Sequence, residues 1–140
     1  MATLLAPPML SIAGSSTVGR SNLTVSYFVV FDALDNNTDQ TYHAHATVVG
    51  VDALPGEDGH DESVYEWGLG DFHASMVDVK GLPLFRSITF SVPNSALNED
   101  PGNAQDDQPN TDEIKVLLTL TPQVGKVVGP TPSNVVKLSL

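Results

Sequence analysis

Four histidines carry the first chemical signal in this chain. His43 and His45 stand at i and i+2, a spacing that in a strand projects both imidazoles from one face toward a common metal ion. His60 or His73 would complete a set of nitrogen donors suited to Cu2+ or Zn2+. Calcium is the second metal to weigh, because hard cations take several oxygen ligands from loops. Three acidic stretches offer them: Asp32 to Asp39, Asp52 to Glu62, and Glu99 to Glu113. Were two of these to meet at one end of the fold, carboxylates from Asp35, Asp39, Glu57, Asp58, Asp106 or Asp107 could converge. No EF-hand is present, since counting Asp35 as its first position puts Gln40 where glycine is needed and Ala46 where the bidentate acid belongs. A third candidate is aromatic: Tyr65 and Trp67 share a strand face and could stack a sugar ring or a proline-rich peptide.

The intervals of 2 and 15 that separate His43, His45 and His60 resemble the copper-ligand run of copper/zinc superoxide dismutases, with His73 extending the likeness. The late histidine and the disulfide cysteines of that family are absent, as are the glycine lead-in and glutamate that accompany the His-x-His pair of cupins. No G-x-S-x-G elbow and no phosphate loop occurs, so hydrolytic catalysis is not expected. The paired acids near Glu57 sit among Gly and Asp, where nothing would desolvate a general acid.

The elements that must position these residues have a period of two. Odd positions from Leu23 to Phe31 are all apolar, with Thr24 and Ser26 on the other face. Turn-forming residues at Asp35-Asn36-Asn37-Thr38-Asp39 predict a chain reversal into a strand from Thr41 to Asp52. Shorter extended pieces are expected near Ser63 to Trp67 and Asp71 to Val79, with Gly68 and Gly70 between them. Leu84 to Val92 carries apolar weight on both faces and reads as an interior strand. Asn94 or Ser95 would cap a single helical turn through Leu97 and Asn98. Residues 99–111 hold acids, prolines and amides with nothing apolar larger than Ala104, which predicts a mobile acidic loop. Glu113 to Thr121 alternates cleanly, a Gly and Pro connection runs from Gln123 to Pro132, and a last strand starts at Asn134. A strand at Met9 to Ala13 completes the set.

Seven or eight strands with turns between them and no periodic helix predict an all-β fold, a two-sheet antiparallel sandwich forming one domain over residues 1–140. Its general look is similar to immunoglobulin and fibronectin type III domains, without the Cys-Trp-Cys signature. The chain has no cysteine, which removes thiol catalysis and thiolate metal sites. A net charge of -11 repels nucleic acid and anionic membranes. The stretch Met1 to Leu10 has no Lys or Arg and is broken by Pro7 and Pro8, so no secretory signal is expected and the cytoplasm is the default compartment, with secretion open. The functional expectation is a non-enzymatic binding or assembly module. It would work through a protein partner or self-association, using outward apolar residues such as Phe28, Val30, Phe85 and Leu117, or the strand edges near Met9 and the C-terminus.

Overall fold

The alternation of Leu23, Val25, Tyr27 and Val29, each at most 2% exposed, builds the strand on which one sheet is organised. In the computed structural model, which describes residues 1–14, 18–51, 62–77, 81–97 and 111–139, this strand is β3 (Arg20–Val30). On one side it pairs with β1 (Thr3–Leu4) and β2 (Met9–Gly14), on the other with β6 (Leu84–Pro93), all antiparallel. The second sheet is organised on β4 (Thr41–Gly50), flanked by β5 (Glu62–His73) and β7 (Thr111–Pro122). Beyond β7 lie β8 (Val128–Pro132) and β9 (Val136–Ser139), against different halves of that strand. The two sheets, of 4 and 5 strands, form a two-sheet antiparallel sandwich.

The inner faces explain why the sheets stay together. Tyr42, Ala44, Ala46 and Val48 of β4, and Ile114, Val116, Leu118 and Leu120 of β7, are at most 1% exposed. The small Ala44 and Ala46 leave space for Tyr27, Phe31, Tyr42 and Phe72, whose ring centroids lie 5.6 to 6.1 Å apart where they meet. Such contacts add about 0.5–1.5 kcal/mol per pair beyond area burial.

Five expectations need correction. The segment around Asp35 to Asp39 is a short helix, α1 (Ala33–Thr38), rather than a turn. Asp32 caps its first turn reciprocally with Asp35, and Asp39 ends it in the left-handed region at φ 48°. The two extended pieces around Gly68 and Gly70 are one strand, β5. Ala44 faces Gly70 and His45 faces Gly68, so Leu69 is the extra residue of a β-bulge and turns its side chain into the core. Leu84 to Val92 is an edge rather than an interior strand: among the described residues β6 pairs with β3 alone, and its apolar weight lies inward at Phe90 and Val92 and outward at Phe85. The connection from Gln123 to Pro132 contains β8, whose few ladder bonds tolerate proline at a sheet margin. Nine strands, rather than seven or eight, are therefore present among the described residues. The single helical turn after β6 is as expected, α2 (Asn94–Leu97), with Leu97 buried. The acidic segment, apart from Thr111, lies outside the described residues.

Candidate functional site

The outer face of the β5-β4-β7 sheet carries the histidine pair. His43 and His45 both point outward from β4, opposite Thr121 and Thr119 of β7. Directly across β5 from His43 stands Asp71, turned outward by the bulge, and its Oδ1 lies 2.7 Å from His43 Nδ1. A carboxylate on Nδ1 fixes an imidazole and leaves its Nε2 toward solvent. The His43 ring lies over Gly68 of β5, at ordinary van der Waals distance from where a Cβ would stand. A shallow depression of about 390 Å3 opens beside the pair, lined by Thr41, His43, Asp71, Thr121, Pro122 and Gln123. Among the described residues no group of three or more His, Cys, Asp and Glu is placed to hold a metal ion.

His73 belongs to a separate cluster. Its Nδ1 lies 2.6 Å from Ser75 Oγ and 3.2 Å from Asp39 Oδ1, while the Ser75 N-H donates to the same Asp39 oxygen at 2.8 Å. Serine, histidine and aspartate here share one imidazole nitrogen, whereas proton relay needs serine on one nitrogen and aspartate on the other. The cluster instead pins the left-handed Asp39 to the turn after β5. The Ser75 N-H holds the Asp39 carboxyl below the ordinary carboxylate range.

Asp35 is 2% exposed and its carboxylate is fully engaged. Tyr42 Oη donates to Oδ1 at 2.8 Å, and the Met1 ammonium lies 3.0 Å from Oδ2 while also contacting Asp32. Tyr42 Oη in turn accepts from the Ala2 N-H at 2.8 Å. Burial pushes the Tyr42 phenol up to about 12, helped by the neighbouring carboxylate. Asp35 and Asp39 thus serve two different local networks at the ends of α1. His60, Glu57, Asp58, Asp106 and Asp107 lie outside the described residues.

Tyr65 and Trp67 stack at 6.2 Å on the inward side of β5, in register with the buried Val48 and Ala46. Trp67 also stacks on Phe90 of the other sheet at 5.8 Å, so it closes the margin of the sandwich between the β5 and β6 edges while remaining 41% exposed. On the same side, Arg86 points inward next to the buried Tyr27 hydroxyl. The guanidinium charge acts on the phenol, but burial dominates and raises its pKa, and neither Tyr27 Oη nor Arg86 Nε makes a well-formed hydrogen bond. An inward cation on an edge strand discourages uncontrolled strand addition.

The outer face of the other sheet is unlike the histidine face. Phe28 and Phe85 face each other across β3 and β6 with centroids 4.8 Å apart, and are 41% and 53% exposed. Met9 and Leu5, at 68% and 63% exposure, extend the apolar surface at that end, with Val30 half-buried beside them. Toward the other end the facing pairs are hydroxyls: Ser26 with Ser87 at 3.0 Å and Thr24 with Thr89 at 2.7 Å. The one charge on the outward positions of β2, β3 and β6 is Arg20, whose guanidinium bonds to Ser91. In a chain of net charge -11, a sheet face without a carboxylate is a marked departure from the average surface. The fourth outward apolar residue expected from sequence, Leu117, is half-buried on the histidine face, opposite Pro132 of β8. Sequence reasoning named Phe28, Val30 and Phe85 for an outward face and Met9 only as a strand edge; it missed Leu5 and the position of Met9 beside them. Their positions follow only from the ladder that sets Met9 opposite Ser26 and bonds the Leu5 N-H to Phe28 O.

No family model matches this chain, and no curated protein or solved structure matches it either. Among the described residues no helix is long and apolar enough to cross a membrane.

Proposed function

We propose that this protein is a non-enzymatic binding or assembly module whose docking surface is the outer face of the β2-β3-β6 sheet. The observation that carries this reading is the absence of carboxylates from that face together with its exposed Phe28 and Phe85 pair. Apolar, low-charge centres distinguish interface cores from ordinary surface, and contiguous exposed apolar patches mark interaction sites. The strand order supports an immunoglobulin- or fibronectin III-like frame: β2-β3-β6 corresponds to A-B-E, and β5-β4-β7 with β8 and β9 to C′-C-F-G. The test is a photo-crosslinking residue placed at Ser87, in the middle of the face, or at Thr119 on the opposite face as control. Crosslinks to protein from position 87 and not from 119 support the reading; the reverse pattern overturns it.

A second reading has one specific observation in its favour. The Asp71 carboxylate on His43 Nδ1 is the arrangement that orients a histidine for a metal at Nε2, with His45 on the same face. Zn2+ or Cu2+ bound there would raise the melting midpoint. That rise would be lost in a His43→Ala, His45→Ala double variant, and no shift with either ion refutes the reading. Calcium at the acidic segments is tested by the same melt, with Asp106→Asn and Asp107→Asn in place of the histidine changes.

A further inference from the structure

We infer that the partner on the outer face of the β2-β3-β6 sheet is a second copy of this chain, packed face to face about a two-fold axis; the inference rests on the docking reading above. Charge is the first argument. Two molecules of net charge -11 repel at long range, and this face, whose one charge is the Arg20 cation, lets them meet without opposing carboxylates. Desolvation is the second. The Thr24 with Thr89 and Ser26 with Ser87 hydroxyls already bond to one another, so removing water from them leaves few polar groups unmet. The third is shape. The face is bulky at the Phe28 and Phe85 end, flat at Ser11 and Ala13 on β2, and carries Arg20 and Pro93 at its far end, and a two-fold axis perpendicular to the strands sets the aromatic end of each copy over the far end of the other.

The size is that of a small interface. β3, β6 and β2 contribute 11, 10 and 6 residues, which at a rise of about 3.4 Å and a spacing of about 4.8 Å give a footprint of about 440 Å2. That is below the roughly 800 Å2 per partner of a standard interface and suits a weak, micromolar dimer. A closed two-fold pair also uses the patch up, so association stops at the dimer.

Sedimentation of the full chain tests this. The expected result is a species of twice 14.8 kDa at micromolar concentration, favoured by added salt because screening relieves the repulsion between the acidic partners. Ser87→Arg, which buries an unpaired cation near the middle of the face on each copy, should raise the dimer Kd by at least about tenfold. Thr119→Arg on the opposite sheet should leave it unchanged, with circular dichroism showing both variants folded. A monomer at all concentrations overturns the inference, as does a dimer that survives Ser87→Arg or is lost in Thr119→Arg. The crosslinker at position 87 separates this failure from that of the docking reading. Crosslinks only to a different protein overturn the second copy and keep the surface, whereas no crosslink from position 87 removes both.

Discussion

Replacing Tyr42 by Phe removes one oxygen and leaves the ring, so its stack on Phe72 at 5.6 Å and its contact with Phe31 are kept. What is lost is a hydroxyl that donates to Asp35 Oδ1 and accepts from the Ala2 N-H, each at 2.8 Å. Both partners are buried, Asp35 at 2% and Ala2 at 1% exposure, and water cannot easily replace the missing atom. An orphaned buried group costs about 1–3 kcal/mol. Asp35 keeps the Met1 ammonium and the Asp32 N-H, which places its share at the lower end, so Tyr42→Phe should cost about 2–4 kcal/mol in all. For a domain of this length that is a fall of about 6–15 °C in the melting midpoint. Urea unfolding should show a lower midpoint concentration with an unchanged m value, since the buried surface is the same. The pH dependence gives an independent check. With a folded-state pKa of about 12 against an ordinary 10.0, the folded chain holds the Tyr42 proton more tightly than the unfolded chain does. The stability tied to that proton is complete below about pH 10 and is lost as pH rises through about 12. The wild type should therefore lose more stability than Tyr42→Phe over that interval. A variant within about 0.5 kcal/mol of wild type at pH 7, or one with the same alkaline decline, would refute this account of the hydroxyl.

Three further outcomes follow from local geometry. Gly129 has φ 96° and a Cβ there would meet Leu118 O at 2.5 Å, so Gly129→Ala should lower stability by about 1–3 kcal/mol and detach β8 before the rest of the sheet, visible as faster amide exchange at Thr131. Asp39 has a lowered pKa because the Ser75 N-H bonds its carboxylate, so its contribution is present above the ordinary value of 3.8 and lost as pH falls below it. Asp39→Asn, which keeps an acceptor for Ser75, should flatten the acid side of the urea midpoint profile; an unchanged profile would show that the bond does not set the titration. Trp67→Ala should open the margin between the β5 and β6 edges and destabilise the chain by about 1–3 kcal/mol, measured by urea unfolding, because the part-exposed indole covers Phe90; a change below about 1 kcal/mol would mean the stack is not holding the sheets.

The strands were legible where one face is buried and the other wet. β3 and β7 alternate without interruption, and their inward residues are those that the period of two selects. Three features were not legible for physical reasons. Asp32 to Asp39 contains residues that serve turns and helix caps alike, and the reciprocal bonds between Asp32 and Asp35 tip the balance to a helix. The bulge at Leu69 shifts the facing of Asp71 and Phe72, and glycines at 68 and 70 read equally as a break or a bulge until the partner strand is known. Whether Leu84 to Val92 is interior or at an edge depends on sheet order, which no local pattern encodes. His43 and His45 share one face as their spacing implies, but the long-range contact of His43 with Asp71, 28 residues away, became visible only with the register. The docking face has the same character. Its apolar end joins Leu5, Met9, Phe28 and Phe85 from four segments, each unexceptional alone.

The most direct test of that face compares the oxidation of Met9 and Met76 by mild peroxide in the dilute and the associated protein, read by mass spectrometry. Met9 stands on the carboxylate-free face at 68% exposure and Met76 away from it at 38%, so both react in the free chain. Association through the outer face of the β2-β3-β6 sheet predicts that Met9 becomes protected while Met76 keeps its rate; protection of Met76 with Met9 still reactive would contradict it.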